Sequence, residues 1–337
     1  MKLAKVPNEK ASEAIPSLIS GGLVNSGAKI CKGDGVRYVP IYDGCENEAS
    51  AMGFEIIDGN AFERGTRSPQ NRIKNRLGHL PDDIVDALPM RWEFVGDIVI
   101  LRMHDNLYQY GKEIGEAYAK ELNSKTVCAD TGGVSGELRQ PKMNILFGSD
   151  TEAVRLENGI RYKFDVTKIM FASGNVDERH RMRQLDCKDE TIVDMFAGIG
   201  YFTLPIAKFA GAEKVIACEK NSDSFHYLQE NIKINGLENI VIPVMKDNRK
   251  LKCVNADRII MGYVRKTSEF LDKAKEMIRA GGIIHYHDTF YVSEYDKRVN
   301  SIFTEVFGTN GYDLLHIREV KSFAPSVSHY VADVRIS

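Results

Sequence analysis

Residues 191–203 read TIVDMFAGIGYFT: a short apolar run that ends in an acid and then breaks into a Gly-X-Gly loop. The Ile and Val predict a buried strand. Glycines at 198 and 200 let the backbone turn sharply behind it and come close to a ligand. A dinucleotide fingerprint would place a third glycine where this chain has Thr203, so pyrophosphate binding is disfavoured. Taken alone, the loop is also what any tight turn requires.

Downstream, strand and helix patterns alternate. YFTLPIAKFA reads as a helix, KVIACEK as a strand and SDSFHYLQENIKING as a helix closed by Gly236. IVIPVMKDN, DRIIMGYV and GIIHYHDTF read as strands, with EFLDKAKEMIRAGG as a helix between the last two. HIREVKSFAPSVSHYVADVRI reads as two strands around Pro325. This spacing predicts an α/β fold with a mostly parallel, doubly wound sheet. The second strand ends at Glu219, about 20 residues beyond the loop, where an acid can accept both ribose hydroxyls of an adenosine-type ligand. The third is followed by Asp247-Asn248, suited to an adenine amino group. Each carboxylate alone suits a solvated turn. Asp194, Glu219 and Asp247 at the ends of consecutive strands make a nucleoside site the better reading.

Upstream, RWEFVGDIVILRM (91–103) has the Val and Ile density of a buried strand. KEIGEAYAKELN (112–123) has helical spacing, with Ile114, Ala117, Tyr118 and Leu122 on one face. AVRLENGIRYKFDVTKIMF (153–171) predicts a hairpin turning at Asn158-Gly159. Residues 61–77 carry Arg64, Arg67, Arg72, Lys74 and Arg76 against a single acid, Glu63, and read as a basic segment or linker. Three regions follow: 1–75, 76–170 and 171–337. The net charge of −2 announces no polyanion partner, so phosphate contacts must come from local patches such as 64–76, Arg265 and Lys266. The six cysteines form no CxxC pair, which argues against a zinc site or a disulfide framework. The N-terminus lacks the apolar core of a signal peptide and no run suits a membrane span, so a cytosolic protein is expected. His285 and His287 share a strand face, yet no further ligands accompany them, and no metal is expected.

DMFAGIGYFTLPIAKF (194–209), ENGIRYKFDVTKIMFASGNVDERHRM (157–182), GELRQP (136–141) and KSFAPSVSHYVADV (321–334) together resemble the archaeal-type family of tRNA methyltransferases and wyosine-synthesis enzymes. The resemblance covers about residues 75–337 well and the first 75 more loosely. It implies a Rossmann-like, S-adenosylmethionine-dependent transferase domain preceded by small α+β domains, the first of them docking tRNA. One branch methylates nitrogen 1 of the guanosine 3′ of the anticodon. The other transfers the 3-amino-3-carboxypropyl group of S-adenosylmethionine to a tricyclic wyosine precursor at that position. The methyltransferases resembled here carry Asn-Leu-Pro where this chain has Gly262-Tyr263-Val264, and glycine supplies no side chain to hold a guanine. Gly262-Tyr263-Val264, Ser173-Gly174-Asn175 and Gly136–Pro141 resemble the aminocarboxypropyl branch, and the missing side chain at 262 is expected to leave room for the larger base.

By this resemblance Ser173, Arg179, Phe196, Gly198 and Gly200 belong to the cofactor site, Glu219 to its ribose and Asp247-Asn248 to its adenine end. Glu178 matches a proposed base and Arg139 an essential arginine. The expected partner is tRNA, specifically the anticodon loop of phenylalanine tRNA, bound by a monomer. Tyr201, Phe202, Tyr263 and Phe323 are candidates for stacking on an extruded base, with core packing the plainer role for each. Guanosine methylation, and a tRNA-binding adaptor without catalysis, are the alternatives.

Overall fold

The computed structural model describes residues 1–59, 68–135, 140–171, 173–264 and 266–337. Its contacts divide the chain into two units, Met1–Asn75 and Arg76–Ser337. In the first, β1 (Lys2–Pro7), α1 (Ala11–Ser20), β2 (Cys31–Lys32), β3 (Val36–Pro40), α2 (Glu46–Ala51) and β4 (Glu55–Asp58) build an antiparallel sheet of order β2-β3-β1-β4. Ala4, Val6 and Val39 from the strands, and Ile41 just past β3, pack with Ala14, Leu18 and Ala49 from the helices. The basic segment is not simply a linker. Residues 60–67 lie outside the described set, but Pro69–Arg76 form helix α3, with proline at the first helical position, where its missing N–H costs nothing.

The second unit begins with α4 (Asp82–Asp86) and a four-stranded sheet of β5 (Trp92–Val95), β6 (Ile98–Arg102), β7 (Thr126–Ser135) and β8 (Gln140–Phe147), crossed by α5 (Gly111–Leu122). The expected single strand at 91–103 is instead the β5–β6 hairpin, broken at Gly96 (φ +57), where an added Cβ would lie 2.8 Å from the Val154 carbonyl. Next come β9 (Glu152–Glu157) and β10 (Ile160–Asp165), turning through Asn158 and Gly159, both at positive φ, as the Asn-Gly pair predicts.

The remaining elements are α6 (Val176–Met182), β11 (Thr191–Asp194), α7 (Thr203–Phe209), β12 (Lys214–Glu219), α8 (Ser222–Ile234), β13 (Val241–Met245), β14 (Ala256–Met261), α9 (Leu271–Met277), β15 (Ile278–Tyr291), α10 (Tyr295–Phe307), β16 (Tyr312–Ala324) and β17 (Val327–Ile336). Their strands form one sheet of order β13-β12-β11-β14-β15-β17-β16, parallel through β15 and antiparallel at β17 and β16. Ile192 and Val193 point into different cores, as do Ile260 and Ile259. Both faces are therefore covered, which is why these strands read as unbroken apolar runs. The order reverses between β11 and β14, opening a crevice at the carboxyl ends of the strands.

Two differences from expectation have local causes. Helix α9 stops at Met277 rather than running to 282, because Ile278 already pairs with Ala256 and Arg279 is held by Asp257 at 2.5 Å. Helix α10 is an addition to the expected elements, although Val299, Ile302, Phe303 and Val306 follow helical spacing and pack into the second core. The β9–β10 hairpin is fixed to the large sheet by Asn231 of α8. Its amide accepts from the Lys163 N–H (2.7 Å) and donates to the Lys163 and Ile199 carbonyls (3.2 and 3.0 Å).

Candidate active site

The crevice is a cleft walled by the loops after β11, β12, β13 and β14 and by the segment between β10 and α6. Gly198 (φ +56) and Gly200 (φ +102) turn the chain from β11 into α7. Gly198 lines the cleft, whereas Gly200 serves the turn, and a Cβ there would strike Leu204 at 2.6 Å. Beneath the loop, fully buried Asp194 accepts from the Thr203 hydroxyl at 2.7 Å and from the Phe196 N–H at 3.2 Å. Thr203 at the third-glycine position is thus a tie between loop and strand. Burial pushes the Asp194 carboxyl up to about 6.

Glu219 ends β12 and accepts the Gly198 N–H at Oε2 (2.8 Å) and the Asn221 N–H at Oε1 (2.7 Å). Burial raises its pKa and the backbone N–H groups oppose that rise. The Lys220 N–H is a third backbone donor to this carboxylate, which still keeps acceptor capacity for a ligand hydroxyl. After β13, Asp247 is occupied by Arg249 at 2.6 Å, and the hydrogen bond from that guanidinium lowers its carboxyl to about 2. Asn248 is buried, its Nδ2 donating to the Met195 carbonyl at 2.9 Å. Its Oδ1 has no hydrogen-bond partner among the described residues, nor does the buried Oδ1 of Asn175 in the same cleft. Buried acceptors left open in a cleft wall are fitted by a ligand with N–H donors, such as an adenine amino group. Lys168, Lys220 and Lys246 also line the cleft.

On the other side, Phe196 and Tyr263 stack at 4.9 Å, with Phe270 edge-on to both. Gly262 meets the Phe202 ring, which stacks in turn on buried His287 at 5.2 Å. The space beside Gly262 is therefore not left open for a larger base, contrary to the sequence expectation: Phe202 fills it. Behind it Glu178, wholly buried, accepts from Arg181 (2.8 Å) and Arg318 and lies 3.7 Å from His287 Nε2. Arg181 also reaches Asp333 (2.7 Å), which holds His285 Nδ1 at 2.5 Å. His285 Nε2 sits 2.8 Å from Arg258, itself paired with Glu190. The two histidines thus belong to a buried ion-pair network.

A TRM5/TYW2 methyltransferase domain matches residues 153–314, and a TYW2 N-terminal domain matches residues 73–151. A Pyrococcus horikoshii protein named tRNA(Phe) (4-demethylwyosine(37)-C(7)) aminocarboxypropyltransferase is 43% identical over 275 residues, covering 80% of this chain and 98% of its own. The chain belongs to the TRM5/TYW2 family. Within that family, Pyrococcus abyssi Trm5b, named a tRNA (guanine(37)-N(1))-methyltransferase, is 31% identical over 99% of this chain and 98% of its own. A crystal structure of P. horikoshii TYW2 in complex with MeSAdo superposes with a TM-score of 0.71 at 41% identity, covering 79% of this chain and 98% of that one.

Against this family background, the cleft gathers Arg179, Phe196, Gly198, Glu219, Asp247, Asn248 and Tyr263 from the residues expected to bind ligand. Arg179 is held by Glu157 at 2.5 and 3.0 Å and lies 4.7 Å over the Phe171 ring. Glu178 is not among the residues lining the cleft. The Ser173 side chain, Arg64, Arg67, Arg139 and Arg265 lie outside the described residues. Arg72 is exposed and Lys74 half-buried, Arg76 pairs with Glu121 at 2.7 Å, and Lys266 lies 3.5 Å from Glu269. Sequence reasoning misses Asn175, the Phe202–His287 stack and Arg318; only the Ser-Gly-Asn turn hints at Asn175.

Proposed function

We propose that this enzyme transfers the 3-amino-3-carboxypropyl group of S-adenosylmethionine to C7 of 4-demethylwyosine at position 37 of tRNA(Phe). The observation that carries the reading is the match at 43% identity to the P. horikoshii aminocarboxypropyltransferase, over 98% of that protein and 80% of this chain. When bound, S-adenosylmethionine supplies a sulfonium whose three attached carbons are open to in-line displacement, and the one held near-attack reacts. The ring carbon forms a bond to the terminal carbon of the amino-acid arm and that carbon's bond to sulfur breaks. Sulfur keeps the electron pair, leaving neutral methylthioadenosine, and the C7 proton passes to a base.

In this reading Glu219 accepts the ribose hydroxyls, the open oxygen of Asn248 accepts the adenine amino group, and Phe196 and Tyr263 give flat apolar surface. Glu178 is the proposed proton acceptor, a role that requires its contacts with Arg181 and Arg318 to open toward the cleft. Arg139, outside the described residues, is proposed as the second catalytic group. The unit Met1–Asn75, with Arg72 and Lys74, is proposed to dock the tRNA, and the anticodon loop is the part that enters the cleft. We propose a cytosolic monomer; among the described residues no helix is long and apolar enough to cross a membrane, and no metal-holding group is present.

Methylation of guanosine 37 is the second reading, favoured by one observation, the end-to-end cover by Trm5b. Product analysis separates the two. Incubation with tRNA bearing the tricyclic base is expected to release methylthioadenosine and place carboxyl label on the nucleoside. Release of S-adenosylhomocysteine with methyl label on guanosine would establish the second reading instead.

A further inference from the structure

Glycine at 262 is required by space. Its φ lies outside the left-handed region, so the backbone itself would accept any residue. A Cβ there, however, would lie 2.7 and 2.9 Å from two carbons of the Phe202 ring. That ring is 6% exposed, lines the cleft and is backed by His287, which lies nearly parallel to it. His287 is in turn fixed by His329 at 3.1 Å. Burial first, then the neighbouring His329 and Arg181, hold the His287 imidazole well below its usual pKa, so the ring behind Phe202 is neutral. Phe202 is thus clamped on two sides, and with Gly262 it forms a stretch of cleft wall with no hydrogen-bonding side chain.

We propose that Phe202, seated between Gly262 and His287, is a specificity-determining wall that selects a three-ring nucleobase over guanine. The inference rests on the proposed transfer reaction. Guanine presents N1–H and an exocyclic amine on its pairing edge. Against an aromatic wall those donors lose water and gain no acceptor, which is costly. In a tricyclic guanine derivative the third ring is closed over N1 and that amine, so the same edge presents carbons. The reacting carbon belongs to that third ring, and the apolar wall holds it without competing for a proton.

The test compares binding of two tRNAs, one carrying guanosine and one the tricyclic base at position 37, to wild type, Phe202→Asn, Phe202→Leu and Gly262→Ala. Phe202 occupies the N-cap of α7, where asparagine is favoured, so the polar variant is expected to fold. Phe202→Asn is expected to cut the preference for the tricyclic base roughly tenfold or more, the scale on which apolar pockets discriminate. Phe202→Leu, still apolar, is expected to restore most of it. Gly262→Ala, which displaces the ring, is expected to lower methylthioadenosine release roughly tenfold while S-adenosylmethionine affinity holds. A purely structural role for Phe202 would weaken both tRNAs alike. An unchanged preference in Phe202→Asn, with wild type releasing methylthioadenosine, overturns the wall alone. Wild type releasing S-adenosylhomocysteine overturns the transfer reaction and the wall with it.

Discussion

At one end of the cleft, Gly198, Glu219 and Asn248 sit on the ends of three neighbouring parallel strands and are fixed by backbone groups: the Gly198 and Asn221 N–H on Glu219, the Met195 carbonyl on Asn248. Elsewhere in the wall, Phe202 and Gly262, backed by His287, Glu178 and Arg318, come from distant parts of the chain and are held by side chains. A site hung on backbone survives variation around it. A site built from mutually supporting side chains is easily retuned, which suits the base-selecting role proposed for Phe202.

The sharpest way to break this contrast is Glu219→Ala. It removes the anchor of the Gly198 loop together with the two charge-assisted ribose hydrogen bonds proposed for this residue. The loss is expected to be roughly 3 kcal/mol, about a hundredfold in dissociation constant. Titration calorimetry with S-adenosylmethionine checks it, and an unchanged affinity would detach Glu219 from the ligand.

Glu178→Gln probes the part held by side chains. If Glu178 takes the C7 proton, turnover should fall roughly a hundredfold, at the lower end for general base catalysis. S-adenosylmethionine affinity should stay within about twofold, because the residue does not line the cleft. The variant also leaves Arg181 and Arg318 without their buried carboxylate, so the thermal midpoint is expected to drop as well. Turnover measured well below that midpoint and found equal to wild type would leave Glu178 a purely structural hub.

Asn248→Ala sharpens the comparison on a smaller scale. Losing one acceptor should weaken S-adenosylmethionine binding by about 1 kcal/mol. An analogue with the adenine amino group replaced by oxygen should bind wild type and variant equally. If the variant discriminates against the analogue as wild type does, the open Asn248 oxygen is not what meets the amino group.

The same contrast explains what can be read from the sequence. The sheet, its strand ends and the acid that closes β12 are local patterns: an apolar run, a Gly-X-Gly turn, a carboxylate at a fixed distance. Each is dictated by residues close in sequence, and the structure places them as read. The β5–β6 break also has a local signal, a Gly96-Asp97 pair between two apolar runs with Gly96 at positive φ, which a reading of 91–103 as one strand passes over. By contrast, the occupant of the space beside Gly262 depends on Phe202 and His287, which no spacing rule joins. Asp247 reads as a ligand holder, yet the nearby Arg249 engages its carboxylate.

The smallest effect is expected outside the cleft. Arg72, Lys74 and Arg76 all stand on α3, and Arg76 pairs with Glu121 at 2.7 Å. If α3 lies along the tRNA backbone, reversing Arg72 and Lys74 to glutamate should raise the Michaelis constant for tRNA severalfold. It should also flatten the dependence of log affinity on log salt by about one unit for each phosphate no longer neutralised. Sequence preference at position 37 and S-adenosylmethionine affinity should both hold, because phosphate contacts position without reading bases. Arg76→Glu is the internal control: repulsion from Glu121 should lower the thermal midpoint, an effect that a phosphate contact alone would not produce. A salt slope equal to wild type in the Arg72 and Lys74 double variant would take α3 off the RNA path and leave docking to other surfaces.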